Sequence, residues 1–146
     1  DAGAEAIKVE KINGGDDTRQ LAPWKNGISL YFPAYNRNKK SVAVDFRRKE
    51  GIALIKKLVA ESDVLIQNFR AGTMEKMGLG YDSLKEINPR LIMASVSGFG
   101  QSGPYRDRPA FDNIIAAMAS VCRVTEYGPF TGRGALNDYM RQWAFC

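Results

Sequence analysis

The run Gln67-Asn68-Phe69-Arg70-Ala71-Gly72-Thr73 sets an amide and a guanidinium between an apolar stretch and a helix-forming one. A loop that leaves a strand and opens a helix can turn backbone N–H groups towards an anion. Asn68 adds a neutral donor and Arg70 a permanent charge. A capped strand-to-helix turn without a ligand fits the same spacing. A second run, Gly98-Phe99-Gly100-Gln101-Ser102-Gly103-Pro104, permits close backbone approach to a ligand, and an ordinary surface loop would have the same composition. Histidine is absent, which excludes Ser-His-Asp and Cys-His catalysis and histidine-ligated metals. Any general base must be a carboxylate, a lysine, a tyrosine or water. Cys122 and Cys146 stand alone with no CxxC pattern, so no metal site is expected.

These residues must be positioned by alternating strands and helices. Ala6–Glu10 carries Ile7 and Val9 on one face, as a strand does. Residues 12–24 read as a loop, with Gly14, Gly15, two aspartates and Pro23, and residues 29–36 are rich in aromatic side chains. Ser41–Phe46 alternates again. Lys49–Glu61 repeats Ile52, Ile55, Leu58 and Val59 at helical spacing. Asp63–Gln67 is a short strand. Thr73 is expected to cap a helix running to Met77 and closed by Gly78. A helix over Asp82–Ile87 should stop at Asn88-Pro89. Leu91–Ser97 forms a strand and Phe111–Cys122 a further helix. Asp112 at the start of that helix reads as a cap. This alternation predicts an α/β fold built on a parallel sheet. The chain reads as starting inside an α/β unit, which would leave an open sheet edge.

The chain has 146 residues, 45% hydrophobic and 25% charged, the composition of one soluble globular domain. No apolar run approaches the roughly 20 residues that span a bilayer, and no signal peptide opens the chain. A cytoplasmic location without membrane contact is therefore expected. The net charge of +5, from 21 basic and 16 acidic residues, favours anionic ligands. The basic residues are dispersed, and no nucleic-acid-binding motif occurs, so a nucleic-acid partner is not expected. Arg37–Lys40 reads as an exposed basic turn or a ligand contact.

Three ordered stretches carry a resemblance. They are GAEAIKVEKINGGDDTR (3–19), NRNKKSVAVDF (36–46) and SDVLIQNFRAGTMEKMGLGYDSLKEINPRLIMASVSGFGQSGP (62–104). Together they resemble the class III CoA-transferases, a family that includes formyl-CoA and carnitine CoA-transferases and α-methylacyl-CoA racemases. The resemblance is close over residues 1–121 and loose over 122–146, so one truncated domain with a divergent tail (123–146) is expected. It implies a Rossmann-like parallel sheet with flanking helices, part of the family's large domain.

The resemblance also implies roles for residues. The substrate would be coenzyme A, carried as acyl-CoA. Asn68, Phe69 and Arg70 match the family's ENFRPG loop around CoA, with Gln67 for its Glu and Ala71 for its Pro, so a less stiff loop is expected. Lys76 matches a cation near the CoA phosphates and Met77 a channel residue. From spacing alone, these two are a solvated lysine beside a core methionine. Lys11 matches a basic position near the nucleotide, and Val44 an apolar one against the adenine. Arg108 and Phe111 fall in the loop and helix at the acyl end. Phe111 is aromatic where the family's racemases carry a histidine, and the chain has no histidine to supply one. Asp138, after Gly134-Ala135-Leu136-Asn137, is the best match to the nucleophilic aspartate of the transferases, and a surface aspartate fits the same position. The implied activity moves CoA from an acyl-CoA donor to a carboxylic acid acceptor. The alternative is a truncated, inactive CoA-binding or oligomerising domain. A homo-oligomer is expected, because family enzymes are interlocked dimers.

Overall fold

Alternating apolar residues and a Gly-Gly-Asp-Asp turn begin the chain with a strand and a tight reversal. In a computed structural model, residues 3–110 and the strand segments 123–125 and 128–130 are described. The chain divides into two compact units, Asp1–Ile55 and Lys56–Cys146.

In the first unit, β1 (Ala6–Lys11) lies parallel to β4 (Lys39–Val44), in register from Ala6 opposite Lys39 to Lys11 opposite Val44. Parallel strands need a long crossover. Here residues 12–38 supply it through a 3₁₀ turn (Asp17–Gln20), a hairpin of β2 (Trp24–Lys25) and β3 (Ile28–Ser29), and a short helix α1 (Tyr31–Tyr35). Asn26 and Gly27 between β2 and β3 both adopt positive φ, 52° and 76°, as a two-residue hairpin turn requires. The aromatic stretch becomes α1 because Tyr31 and Tyr35 meet one turn apart, with ring centroids 4.6 Å apart. Pro33 removes no helical hydrogen bond there, since the first turn has none to lose. Lys39 Nζ donates to the Tyr35 carbonyl at 2.9 Å, closing the helix end. The second strand thus starts two residues earlier than its alternation suggests, and Lys39 and Lys40 belong to it rather than to a turn.

Helix α2 (Lys49–Ala60) follows β4 and runs across the division between the units, with Ile55 and Val59 buried as the helical spacing predicts. In the second unit, β5 (Val64–Gln67) and β6 (Ile92–Ser95) are parallel, Val64 opposite Ile92 and Gln67 opposite Ser95. Their crossover holds α3 (Thr73–Lys76) and α4 (Tyr81–Ile87). Met74, Leu79, Leu84 and Leu91 are buried, and Leu84 is fully so. Each such side chain contributes on the order of 1.5–3 kcal/mol relative to exposure. Asn88 ends α4 by donating to the carbonyls of Val59 (3.0 Å) and Ser62 (2.7 Å), so it also ties down the end of α2. Two short strands, β7 (Arg123–Thr125) and β8 (Gly128–Phe130), pair antiparallel. The expected helix over 111–122 lies outside the described residues.

Thr73 is not the cap of α3. Gly72 holds that position without a side-chain cap, and Thr73 is the first helical residue.

One close contact fixes how α2 leaves β4. A Cβ on Gly51 would lie 2.1 Å from the Asp45 carbonyl oxygen and 3.0 Å from Val44 Cγ1. Helix propensity alone would make Gly51→Ala stabilising by about 0.5–1 kcal/mol. The backbone clash reverses that sign, because the obstacle cannot rotate away. We expect Gly51→Ala to lower stability by about 1–3 kcal/mol. A urea unfolding midpoint at or above that of the parent chain would contradict this packing.

Candidate functional site

The parallel register places Lys11 and Val44 opposite each other at the carboxyl ends of β1 and β4. In open α/β sheets this end is where ligands bind. Val44 is 3% exposed, so its side chain is part of the packing here. The Lys11 ammonium is exposed and pairs with Asp17 Oδ1 at 2.6 Å. A shallow open depression lies at the opposite end of the same strands, lined by Gly3–Ala6 and Asn38–Lys40. Of the candidate contacts it contains only Lys39 and Lys40, and its Lys40 pairs with Glu5.

Beside Lys11 lies a network that the sequence reading missed. The expectation was an apolar face led by Ile7 and Val9. Instead Ile7 is largely exposed, and Glu10 is the buried residue of β1, 5% exposed. Arg19 donates from Nε and Nη2 to the two Glu10 oxygens, each at 2.9 Å. The Asp16 N–H and the Ser41 hydroxyl each donate to Glu10 at 2.8 Å. A buried carboxylate needs this complement of partners. The Arg19 guanidinium also stacks on the Phe32 ring, 3.7 Å from its centroid. Gly15 makes room for the network: its φ is +65°, and a Cβ would meet Glu10 Oε2 at 2.6 Å. The signal in the sequence was a strand-end glutamate, a Gly-Gly turn and an arginine nine residues on.

Asn68, Phe69 and Arg70 follow the carboxyl end of β5 and are exposed. Buried Gln67 turns its Oε1 to accept from the Phe69 N–H at 2.6 Å, so the amide supplies the acceptor that a glutamate would. The Thr73 N–H donates to the Arg70 carbonyl at 3.1 Å. Two N–H groups of this loop are therefore engaged internally, and Asn68 and Arg70 add side-chain donors. No described residue pairs with the Arg70 guanidinium or the Lys76 ammonium. Met74 is the buried methionine of α3, whereas Met77 is half-buried.

In the glycine-rich loop, the Arg108 guanidinium lies 4.5 Å from the Tyr105 centroid, and Tyr105 packs against Phe99 at 5.7 Å. Phe111, Asp112 and Asp138 lie outside the described residues. Among the described residues, no group of carboxylates or cysteines could hold a metal ion. No described helix is long and apolar enough to cross a membrane.

Comparison with known proteins gives these positions their setting. The model of CoA-transferase family III matches residues 1–141. The chain belongs to this family. A Fusarium pseudograminearum acyl-CoA transferase is 50% identical over 134 residues, 86% of this chain and 29% of that protein. The acetyl-CoA:oxalate CoA-transferase of Acetobacter aceti is 43% identical over 142 residues, 94% of this chain and 36% of its own. The crystal structure of a CaiB/BaiF family protein from Brucella suis superposes with a TM-score of 0.82 at 43% identity, covering 92% of this chain and 38% of that one. The chain thus spans about a third of the length of the curated relatives it matches. The parallel pairs and flanking helices agree with the expected α/β architecture of this CoA-transferase family III chain, and with its being part of a larger domain.

The carboxylate network makes stability acid-sensitive. Arg19 above all, with the Asp16 N–H and Ser41 hydroxyl, outweighs burial and holds Glu10 at about 2, against an ordinary 4.5. Burial pushes Asp16 up, but Lys8 and Thr18 more than offset it and bring it to about 2. Both folded values lie below the unfolded ones. The stabilisation is therefore complete above about pH 4.5 and is lost as pH falls towards about 2. Urea midpoints measured across that window should fall steeply in the parent chain. The fall should be shallower in Glu10→Gln, which starts from a lower midpoint at pH 7. An acid limb of unchanged slope would assign the loss to other groups.

Proposed function

We propose that the chain holds coenzyme A for a CoA transfer between an acyl-CoA donor and a carboxylic acid acceptor. The observation that carries this reading is the placement of donors after a strand end. Asn68 and Arg70 follow the carboxyl end of the parallel β5–β6 pair, and Lys76 lies on the helix that comes next. CoA carries a 3′-phosphate and a diphosphate, so it needs several separated cations. Arg70 and Lys76 present theirs without a competing partner among the described residues. The named relatives support the same substrate class, since they include an acyl-CoA transferase and an acetyl-CoA:oxalate CoA-transferase.

Asn68 would donate to a pantetheine or phosphate oxygen, and Phe69 would pack on the ligand. Arg70 and Lys76 would meet phosphate, with Met77 lining the channel beside them. Val44 would form the apolar floor near the adenine, while Arg108 and Phe111 would stand towards the acyl end.

Asp138 is the proposed nucleophile. Its carboxylate attacks the thioester carbonyl, the C–S bond breaks, and CoA leaves as thiolate from a mixed anhydride. The thiolate attacks the aspartyl carbonyl and releases the donor acid as carboxylate, giving an aspartyl-CoA thioester. An acceptor carboxylate takes the CoA by the reverse of these two steps. This is covalent catalysis by a carboxylate, and it needs no histidine. The second reading is a CoA-binding module without chemistry. It differs only in Asp138.

Calorimetric titration with CoA tests the binding reading. Saturable binding is expected, and the double variant Arg70→Ala, Lys76→Ala should weaken it by more than tenfold, since each charge-assisted contact is worth about 1.5–3 kcal/mol. A folded chain that ignores CoA would overturn the assignment. Transfer from an acyl-CoA donor that survives Asp138→Asn would remove Asp138 from the mechanism.

A further inference from the structure

The ammonium of Lys11 already has an anion. Asp17 Oδ1 sits 2.6 Å from it, and the aspartate side chain is 89% exposed. Its backbone, by contrast, is fixed. Asp17 opens the 3₁₀ turn, which Asp16 caps by accepting from the Thr18 N–H at 2.7 Å. The Arg19 N–H returns to the Asp16 carbonyl at 3.0 Å, and the Arg19 side chain is bound to Glu10. A fixed backbone thus carries a solvent-exposed carboxylate on two rotatable bonds. Asp16, paired with Lys8, is committed to capping the turn and is far less exposed. Of the two acids in the turn, Asp17 is the one that can swing away at little cost.

We propose that Asp17 is the resident counter-anion of Lys11, displaced by a phosphate of the incoming CoA, and that it thereby lowers and tunes affinity at this position. The inference rests on the CoA-binding reading above. A phosphate group carries more charge than one carboxylate and offers more acceptor oxygens, so it can outcompete Asp17. The exposed pair it replaces is weak. Until the phosphate arrives, the carboxylate keeps Lys11 from holding weaker monoanions. Glu10 and Arg19 are positioning residues in this arrangement: they fix the turn that carries Asp17.

The test is a double-mutant cycle on the 146-residue chain, by calorimetric titration with CoA and with pantetheine, which has no phosphate. Asp17→Asn should bind CoA about two- to fivefold more tightly, the worth of an exposed ion pair. Its binding of pantetheine should be unchanged. Lys11→Met and Lys11→Met/Asp17→Asn should bind CoA equally, because the aspartate then has nothing to occupy. Unchanged or weaker CoA binding by Asp17→Asn overturns the proposal and leaves CoA binding itself intact. So does an equal gain in the Lys11→Met background, which would show only a change in overall field. Absence of CoA binding by the parent chain removes both readings together.

Discussion

The first unit is organised around one ion pair whose carboxylate is buried. Glu10 would be intolerable inside the fold as a lone carboxylate, since an unpaired buried charge costs several kcal/mol. Its four hydrogen bonds come from three places: the turn after β1, the Arg19 side chain, and Ser41 on the neighbouring strand. Satisfying the charge therefore fixes the long crossover against both strands at once. A long crossover with little regular structure has few contacts of its own to hold it. This one is held in part by a charge on β1 whose partners lie on the turn and on the neighbouring strand.

That constraint reaches the candidate site through sequence adjacency. Lys11 directly follows Glu10 and ends β1 opposite Val44. Ser29, itself buried, donates to the Thr18 carbonyl at 3.0 Å and so links the hairpin to the same turn. The strand end, the turn and the hairpin then behave as one piece, and the ammonium projects from it. In the second unit, Gln67 does a comparable job with a neutral group. Its buried amide holds the Phe69 N–H and shapes the exposed loop that presents Asn68 and Arg70.

Much of this was legible in the residues, and the failures have physical causes. Helical spacing found α2, since Ile55 and Val59 are buried as their periodicity requires, and the Asn88-Pro89 stop found the end of α4. Alternation found β1 but gave no sign that its buried residue is Glu10, on the other face from Ile7 and Val9. A hydrophobicity pattern has no way to register a carboxylate whose partners lie nine and 31 residues away. The helix α1 was hidden by Pro33, which argues against helix everywhere except a first turn. Thr73 was a plausible cap by type, but the Arg70–Thr73 turn puts it one position inside the helix. Of the expected contacts, Lys11 and Val44 are brought into register, and Asn68 to Arg70 share one loop. Family resemblance named those residues. Neither periodicity nor composition could have paired positions 33 residues apart.

The cations expected to meet CoA are not in the same electrostatic state, and that difference has consequences. Arg70 and Lys76 stand without an ionic partner among the described residues, so an anion gains their full attraction on arrival. On the proposed reading Lys11 would exchange one anion for another, so its net contribution would depend on how much better the newcomer is than the Asp17 carboxylate. A site built only from unpaired cations would attract any polyanion, because Coulomb attraction does not distinguish among phosphates. A cation already neutralised discriminates by difference: weak anions gain little at it, and a well-placed phosphate gains more. Unpaired cations thus favour capture, and a paired one favours selection. On the proposed reading, a chain with a moderate net charge of +5 would in this way bind one phosphorylated ligand without becoming a general polyanion binder.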